Sequence, residues 1–367
     1  MKIPVADPVR ENISLGINEK NLFNEFNKGI YVGGENVNNF ENNLQKFLNV
    51  KYAISLNSGT DALFLGFIAA GLSKGDEVLV PSFTYFATVE VLLNLGAIPV
   101  FVDIHPKTFT LDLEDAKGKI SKKTKAIVPV HLFGNNADIE VIKIFARKHN
   151  LIVVEDGAQS FGSMTKEKKY LGTFGTFGAF SFFPSKTLGG IGDGGCLVTN
   201  SSKIFNTVSK LKNHGQSGVY NHEISGVNSR LDSLNAFVLN KKLLMFNKIK
   251  KSRNDLTNFY NENLKDLKFI EIPKKENPNI LFNYYSILVS SSVRDDLINY
   301  LEQNQISTSI YYKRPIHKQP VMKKYKHVNN NLKTTEKISK SIVSLPFFSF
   351  MSSNEREKVI RVMKGFK

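Results

Sequence analysis

The sequence predicts an α/β protein in which a large domain with a mainly parallel sheet precedes a smaller C-terminal α+β domain. From about residue 50 to 200, short runs rich in Val and Ile alternate with longer amphipathic segments. This alternation is typical of strands joined by helical crossovers on both faces of one sheet. After about residue 235 it gives way to Lys-rich helical sequence. We therefore assign residues 1–240, including an N-terminal arm, to the large domain and residues 241–367 to the small one.

The elements of the large domain follow from these runs. Short apolar runs bounded by Gly, Asn, Asp or Pro predict strands over 52–56, 77–81, 98–103, 126–133 and 151–156. The sequence around them predicts helices over 38–49, 60–70, 84–95, 113–120 and 139–149, the last with Asp138 as its N-cap. Ligands bind such sheets at the carboxyl ends of the strands. The loops that follow the strands are therefore the candidate sites.

The small domain is predicted from sparser signals. Helical sequence over 235–267 leads to strand-like runs at 269–272 and 283–290. A helix over 293–303 and a further strand-like run at 306–312 follow. These elements predict a small α+β unit joined to the large domain by a long helix.

Composition excludes several classes of protein. With 41% hydrophobic residues the chain can bury a core, and its 25 Gly and 12 Pro show no repeat that would indicate a fibrous chain. The most apolar stretch, 83–102, is interrupted by Glu90, Asn94 and Pro99, and the N-terminus has no apolar run typical of a secretory signal. The one cysteine, Cys196, fits a reducing compartment. We expect a cytoplasmic protein without a membrane partner.

The net charge of +16 raises the question of nucleic-acid binding. The lysines are scattered in short groups, however, and no tract of five or more basic residues occurs. No zinc-finger spacing or aromatic RNA-binding signature accompanies them. We therefore expect a solvated basic surface with a modest attraction for anionic ligands, and neither a metal site nor a nucleic-acid partner.

The loop 57–62, Asn-Ser-Gly-Thr-Asp-Ala, lies between the first predicted strand and its helix. Gly59 permits close approach of another group, and the helix N-terminus presents free N–H groups with Thr60 as an extra donor. This arrangement suits a phosphate group. A simple N-cap explains the same residues equally well, and both interpretations stay open here.

A carboxylate, Asp156, ends the most apolar predicted strand. At this half-buried edge an ionised carboxylate needs a cation or hydrogen bonds. One interpretation is that Asp156 pairs with the protonated ring nitrogen of a cofactor. The other is that it caps the next helix.

The segment 180–195 is the most informative part of the chain. Lys186 follows three aromatic residues and a proline and precedes five glycines. A lysine in an apolar pocket loses proton affinity and can form a Schiff base. The glycines allow the backbone to fold tightly beside a flat ligand. A surface lysine in a glycine loop is the alternative, which the flanking aromatics disfavour.

A fourth polar segment, 226–232, precedes an apolar helix. Capping would explain Asn228 or Asp232 without any ligand. Taken alone, this segment does not indicate a site.

Together and in this order, these motifs resemble the DegT/StrS family of pyridoxal-phosphate-dependent sugar aminotransferases. The resemblance runs from about Pro4 to Pro320. It is carried by the motifs NSGTDAL, PSFTYFAT, VEDGAQSFG, FSFFPSKTLGGIGDGG, NHGQ and GVNSRLD. It implies a fold-type I aminotransferase whose large domain binds pyridoxal phosphate (PLP), and a homodimer with shared active sites.

The resemblance also implies roles for individual residues. Lys186 matches the lysine that forms the Schiff base and later moves the proton, and Asp156 matches the carboxylate on the pyridinium nitrogen. The remaining cofactor positions are Gly59, Thr60 and Ser181 at the phosphate, Tyr85 on the ring face, Gln159 near the ring hydroxyl, and Asn228 reaching the phosphate from the neighbouring subunit.

The stretch 311–320 resembles the family's substrate-facing segment, usually Y-P-x-P-L-H-x-Q-P. Here Lys313 stands in place of the expected proline, beside Arg314 and close to His317. These residues bind a diphosphate or carboxylate of the substrate, or they lie on a solvated surface, and both interpretations stay open. We count Arg230 with these three as a predicted substrate contact.

The implied reaction moves an amino group from L-glutamate to a keto group of a nucleotide-linked sugar. The GDGG form of residues 192–195 resembles relatives that aminate C3. The wording of the motifs is most similar to enzymes acting on UDP-linked 3-keto N-acetylhexosaminuronic acid, with dTDP-3-keto-6-deoxyhexose or 4-keto-sugar enzymes as the alternative. Lys186 argues against the dehydratases of the family, which lack this lysine. The intact set of Lys186, Asp156 and Gln159 argues against a non-catalytic nucleic-acid-binding regulator.

Overall fold

A seven-stranded sheet and a three-stranded sheet organise the chain in the computed structural model, which describes residues 2–328 and 331–366. The strands are β1 (Tyr52–Leu56), β2 (Glu77–Pro81), β3 (Ile98–Val102), β4 (Thr124–Ile127), β5 (Ile152–Asp156), β6 (Phe177–Ser181), β7 (Gly195–Thr199), β8 (Gln216–Gly218), β9 (Asn221–His222), β10 (Ile270–Glu271), β11 (Tyr285–Val289) and β12 (Ile342–Leu345).

Helices surround both sheets. They are α1 (Pro8–Ser14), α2 (Glu19–Phe26), α3 (Gly34–Leu48), α4 (Gly59–Ala69), α5 (Ala87–Asn94), α6 (Leu113–Lys117), α7 (Ile139–Lys148), α8 (Ser202–Leu211), α9 (Ser233–Leu244), α10 (Phe246–Leu264), α11 (Arg294–Gln303), α12 (Lys333–Ser341) and α13 (Ser353–Gly365). Within the described residues, no helix combines the length and the apolar character that crossing a membrane requires.

The large sheet confirms the predicted α/β class. Its strand order is β1-β7-β6-β5-β4-β2-β3. The pairs from β6 to β3 are parallel, and β7 runs antiparallel to both of its neighbours. Because β1, β2, β4, β5 and β6 therefore point the same way, their carboxyl ends meet at one edge of the sheet.

Helices cover both faces of the large sheet because its strands are apolar on both sides. In β2, Val78 and Val80 belong to a core shared with α4, α5 and α8, whereas Leu79 belongs to the opposite core with α7 and α10. This alternation follows from the two-residue period of a strand. Near β1 and β7, α3 and α9 close the second face. Both faces of the sheet are thus covered, as expected of parallel strands.

The three-stranded sheet, β10-β11-β12, is antiparallel and packs with α10, α11 and α13. The predicted division of the chain after residue 240 falls inside α9, and it stays a prediction.

Several predicted elements are wrong in extent. The helix expected over 235–267 is two helices, α9 and α10, which meet at Met245. The strand expected over 126–133 ends at Ile127, shortly before Pro129, which has no N–H for a strand ladder. The run 306–312 forms only isolated bridges, at Ile306 and Ser309, and is not a strand. Tertiary contacts decide these cases, because apolar content alone does not.

The predicted N-cap position at Asp138 is confirmed, but the Asp138 side chain does not cap the helix. Asp138 has left-handed backbone angles, and its side chain makes no capping hydrogen bond. Instead, the Oδ1 atom of Asn136 accepts a hydrogen bond from the N–H of Ile139 at 3.3 Å. The capping side chain therefore comes from two residues before the N-cap.

Candidate active site

A cavity of about 590 Å³ lies at the edge of the large sheet where the parallel strands end. The loop after β1 contributes Gly59 and Thr60, and the segment after β2 contributes Tyr85. Asp156 at the end of β5 lies in the same cavity, as does Lys186, which follows β6. The topology thus brings together residues that are far apart in the chain.

Asp156 is 5% exposed and is held in a defined orientation. Its Oδ2 atom accepts a hydrogen bond from the Thr88 hydroxyl at 2.8 Å, and its Oδ1 atom accepts one from the N–H of Ala158 at 3.1 Å. No helix begins at the residues that follow, so Asp156 is not a helix cap. Each oxygen can accept a further hydrogen bond. The carboxylate can therefore receive a donor from the cavity.

The adjacent carboxylate, Glu155, points away from the cavity into a structural network. It is fully buried and accepts hydrogen bonds from the backbone N–H groups of Gly172, Phe174 and Gly175. It also lies 2.9 Å from Nε2 of His131, whose Nδ1 accepts from the N–H of Ala137. Glu155 thus connects the loop that contains Gly172 and Gly175 to the loop that contains His131.

Lys186 is half-buried and lies at the cavity wall. Burial lowers the pKa of its ammonium group to about 8 from the usual 10.5, and the negative charge of Asp156 partly opposes this shift. A lysine with such a pKa has a substantial neutral fraction near pH 8. It is therefore a nucleophile and a proton carrier at pH values where an ordinary lysine is fully protonated.

We expect covalent attachment of PLP to the cofactor-free protein to accelerate as pH rises, with a midpoint near 8. The sign follows from the lowered pKa, because only the neutral amine attacks an aldehyde. The rate can be measured by borohydride trapping between pH 6.5 and 9.5, with the modified peptide identified by mass. A midpoint near 10 would contradict the assignment of Lys186 as the lysine with the lowered pKa.

The start of α4 forms another wall of the cavity. The Ser58 hydroxyl caps the helix by accepting from the N–H of Asp61 at 3.0 Å. Among the described residues, the N–H groups of Gly59 and Thr60 have no hydrogen-bond acceptor. A Cβ on Gly59 would lie 3.0 Å from the Cβ of Ser181, so a larger residue would have to displace Ser181. The cap and the phosphate-binding interpretation are compatible, since different donors serve each.

Gln159 and Tyr312 form a hydrogen-bonded pair at the cavity. The side-chain N–H of Gln159 donates to the Tyr312 hydroxyl at 2.8 Å, and its Oε1 atom accepts from the N–H of Phe133. Burial raises the pKa of Tyr312 well above its usual value. Tyr284 and Tyr311 also line this wall, whereas Tyr85 is 62% exposed at the opening. Tyr284 was not predicted as a site residue, because its sequence context is typical of a strand, and Tyr311 and Tyr312 were included only as part of the substrate-facing segment 311–320.

Asn228 and Arg230 lie outside the cavity. Both are exposed, and Nε of Arg230 donates to Oδ1 of Asn228 at 2.8 Å. The buried Ser229 between them donates to Asp61 at 2.7 Å and accepts from the N–H of Asn57. The segment is thus anchored to the loop that carries Gly59, while its outer side chains face solvent.

Lys313 and Arg314 line a separate groove of about 640 Å³, with Lys318, Lys340 and Glu336. Lys318 and Glu336 form an ion pair at 3.1 Å. The side chains of Lys313 and Arg314 are exposed and, within the described part of the chain, have no hydrogen-bond or ion-pair partner. The groove is adjacent to the cavity, since Tyr312 lines the cavity and the next residue lines the groove.

The structure does not support the predicted substrate contact of His317. Its side chain is 1% exposed, and both of its ring nitrogens are occupied. Nδ1 lies 2.7 Å from the Ser82 hydroxyl, and Nε2 lies 3.2 Å from Glu336. His317 instead fastens the segment carrying Tyr312 to the end of β2.

The cavity fits pyridoxal phosphate. A lysine with a lowered pKa suits the aldehyde, and a buried carboxylate with free acceptor capacity suits the ring nitrogen. Free N–H groups at the start of α4 suit the phosphate. The size of the cavity is that of a small-molecule site.

Comparison with known proteins agrees with this chemistry. The profile of the DegT/DnrJ/EryC1/StrS aminotransferase family matches residues 16–364. A UDP-2-acetamido-2-deoxy-3-oxo-D-glucuronate aminotransferase of Pseudomonas aeruginosa is 37% identical over 329 residues, 89% of this chain and 89% of that protein. A pleiotropic regulatory protein of Geobacillus stearothermophilus is 34% identical and covers 92% and 90%. A dTDP-3-amino-3,6-dideoxy-alpha-D-galactopyranose transaminase of Aneurinibacillus thermoaerophilus is 35% identical and covers 92% of each chain.

Solved structures have the same fold. A DegT/DnrJ/EryC1/StrS aminotransferase from Brucella abortus superposes with a TM-score of 0.92 at 33% identity, covering 99% of both chains. NtdA from Bacillus subtilis, with its cofactor PMP bound, superposes with a TM-score of 0.86 at 28% identity, covering 99% of this chain and 85% of that one.

Proposed function

Because this chain belongs to the DegT/DnrJ/EryC1/StrS aminotransferase family, we propose that it transfers the amino group of L-glutamate to the C3 keto group of a UDP-linked N-acetylhexosaminuronic acid. The chain is a PLP-dependent nucleotide-sugar aminotransferase. We propose that this reaction serves the synthesis of amino sugars for a surface polysaccharide or glycan.

In the proposed site, Asp156 would keep the ring nitrogen of PLP protonated, and the N–H groups of Gly59 and Thr60, with Ser181, would bind the phosphate. Bound PLP would supply an electron sink for the substrate carbanion. Lys186 would hold the cofactor and serve as the proton carrier of the reaction. Gln159, which is fixed by hydrogen bonds with Tyr312 and the N–H of Phe133, would contact the ring hydroxyl, and Tyr85 would lie against the ring face.

The observation that carries the substrate proposal is the basic groove that adjoins the cavity. A UDP-linked uronic acid carries a diphosphate and a sugar carboxylate. The free cations of Lys313 and Arg314 begin one residue after the cavity-lining Tyr312. Arginine and lysine at such a position suit both anionic groups. The 37% identity to the Pseudomonas aeruginosa glucuronate aminotransferase supports the same choice.

A dTDP-linked 3-keto-6-deoxyhexose, or a 4-keto sugar, is the alternative substrate. Similarity to the Aneurinibacillus thermoaerophilus dTDP-sugar transaminase, at 35% identity, favours it. Such a sugar has the diphosphate but no carboxylate. The two substrates therefore differ in how many anionic groups the groove must bind.

The double variant Lys313→Ala/Arg314→Ala is expected to lower kcat/KM for the UDP-linked uronic acid by about 10- to 100-fold, since hydrogen bonds to charged groups contribute about 1.5–3 kcal/mol. Lys122→Ala/Lys123→Ala, which removes two exposed lysines away from both sites, is the matched control for net charge. The assay compares both variants on the UDP- and dTDP-linked substrates. A wild type that prefers the dTDP sugar, with both variants unaffected, would contradict the substrate proposal.

We also propose a homodimer in which Asn228 and Arg230 reach the neighbouring subunit's site. Two exposed apolar groups support it. One contains Phe23, Phe26 and Tyr31, and the other is the hairpin tip with Val219 and Tyr220, which are 86% and 87% exposed. Exposed apolar patches of this kind mark protein interfaces. Sedimentation of the holoenzyme at twice the chain mass is the expected result, and a monomer at micromolar concentration would contradict it.

We also propose that the enzyme is cytoplasmic, and the buried, free Cys196 is consistent with this.

A further inference from the structure

The loop that follows Lys186 is held by polar side chains of α9. Nζ of Lys242 donates a hydrogen bond to the carbonyl oxygen of Gly189 at 2.7 Å. Two helical turns earlier, Asn235 accepts from the N–H of Ile191 at 2.9 Å and donates to the carbonyl of Asp193 at 2.8 Å. Positions seven apart lie on one face of a helix. One face of α9 thus fastens three points of the loop that joins Lys186 to β7.

Lys242 is unusual because it is a fully buried cation. Its side chain is 0% exposed, and its ammonium group lies 2.9 Å from Oε1 of Glu11, which is itself buried. Removing two charges from water is expensive, and a well-packed apolar pair is often at least as stable. Stability alone therefore gives little reason for this pair. The second contact of Lys242, with the Gly189 carbonyl, indicates a different role.

Helix α1 supplies the carboxylate and is itself anchored. Arg10, the neighbour of Glu11, forms two hydrogen bonds with Glu355 of α13, one of them at 3.0 Å. Burial would raise the pKa of Glu355, but the hydrogen bonds from Arg10 and Ser352 outweigh it and lower the pKa to about 2. The position of Glu11 is thus fixed by the C-terminal helix.

We propose that Lys242, held by Glu11, is a positioning residue for the aminotransferase reaction: it fixes Gly189 and thereby keeps Lys186 at its place in the cavity wall. This inference rests on the proposed role of Lys186 in the cofactor site. Gly189 is three residues from Lys186, so a shift of its carbonyl moves the turn that carries the lysine.

The consequence of losing this tie can be measured at Lys186 itself. Burial at the cavity wall lowers the pKa of Lys186 to about 8. A loosened loop admits water around the ammonium group, which raises the pKa toward its ordinary value. The other titratable groups that line the cavity are Tyr85, Asp156, Asp193, Tyr284, Tyr311 and Tyr312. None of them is changed by a substitution at Lys242.

The test is the double variant Glu11→Gln/Lys242→Met, which removes both charges and the donor to Gly189. We expect it to fold, to attach PLP at Lys186, and to show a loading midpoint raised by about one pH unit, so that loading at pH 7 is about tenfold slower. The control Asn43→Ala/Asn240→Ala breaks a 2.8 Å hydrogen bond between α3 and α9 without removing a contact to the loop. It is expected to lower the melting temperature and to keep the midpoint near 8.

A double variant with a lowered melting temperature and a midpoint still near 8 would overturn the proposal, because a purely structural pair gives that result. If the double variant does not fold, Glu11→Gln/Lys242→Gln retains a polar pair with a side chain too short for Gly189. The same upward shift is expected of it, and an unchanged midpoint would overturn the proposal. A wild type that never loads PLP at Lys186 would instead refute the proposed function.

Discussion

Lys186→Ala is expected to abolish covalent attachment of PLP and to lower transamination by about 10⁴-fold, the upper end of the contribution of a positioned proton carrier. Lys186 supplies both the nucleophile and the proton transfer, so two functions are lost together. The side chain is half-buried at a cavity wall, and its removal leaves the cores of the sheet intact. The melting temperature should therefore change little. Borohydride trapping and a steady-state assay measure the two losses.

Lys275 provides a matched control for this experiment. Burial, with a smaller contribution from the charge of Lys250, lowers the pKa of Lys275 to about 8 as well, yet Lys275 lies outside the cavity. If a lowered pKa alone determined attachment, Lys275→Ala would lose part of the trapped cofactor. We expect Lys275→Ala to trap PLP at Lys186 as the wild type does. If the Lys186→Ala variant trapped PLP at another lysine and retained activity, the assignment of Lys186 as the cofactor lysine would be refuted.

Asp156→Asn is expected to lower kcat by about 10²–10³-fold, a range typical of the loss of one preorganised electrostatic contact. An amide cannot hold the ring nitrogen protonated as the carboxylate does, although it retains the shape and the hydrogen bond from Thr88. Bound cofactor should therefore persist while turnover falls. Parallel measurement of the cofactor spectrum and kcat separates the two effects.

The neighbouring Glu155 gives the opposite expectation. Glu155→Gln disturbs a buried carboxylate that accepts three backbone hydrogen bonds, so it should lower stability by about 1–3 kcal/mol. A folded Glu155→Gln protein should retain kcat within a few-fold. If Glu155→Gln lost turnover and Asp156→Asn did not, the roles assigned to the two carboxylates would be wrong.

The sequence predicts five strands of the large sheet, β1 to β5, because each contains a continuous apolar run. It does not predict β6 and β7, since Gly178, Gly195 and several aromatic residues break the usual pattern of Val and Ile. These strands are buried by α4, and Gly66 of that helix lies directly against the ring of Phe177. Their stability comes from packing that local sequence does not reveal.

The sequence indicates the cavity residues that lie at or shortly after the end of a strand. Asp156 ends β5, and Gly59 and Thr60 begin the helix that follows β1. Thr88 and Tyr312 line the cavity, and each forms a hydrogen bond there with a residue distant in sequence. The sequence does not predict these two contacts. His317 shows the reverse case. Its sequence context indicates a substrate contact, but the contacts to Ser82 and Glu336 occupy its ring.

The most direct test of the central claim is the absorbance spectrum of the purified, PLP-loaded protein before and after addition of L-glutamate. The site proposed here predicts a yellow band from PLP bound at Lys186, which bleaches as glutamate donates its amino group and which a keto-sugar nucleotide then restores. In the Lys186→Ala variant, addition of glutamate should not produce this bleaching. A wild-type protein that shows no band after PLP is supplied, or a band that glutamate leaves unchanged, would contradict the proposed reaction.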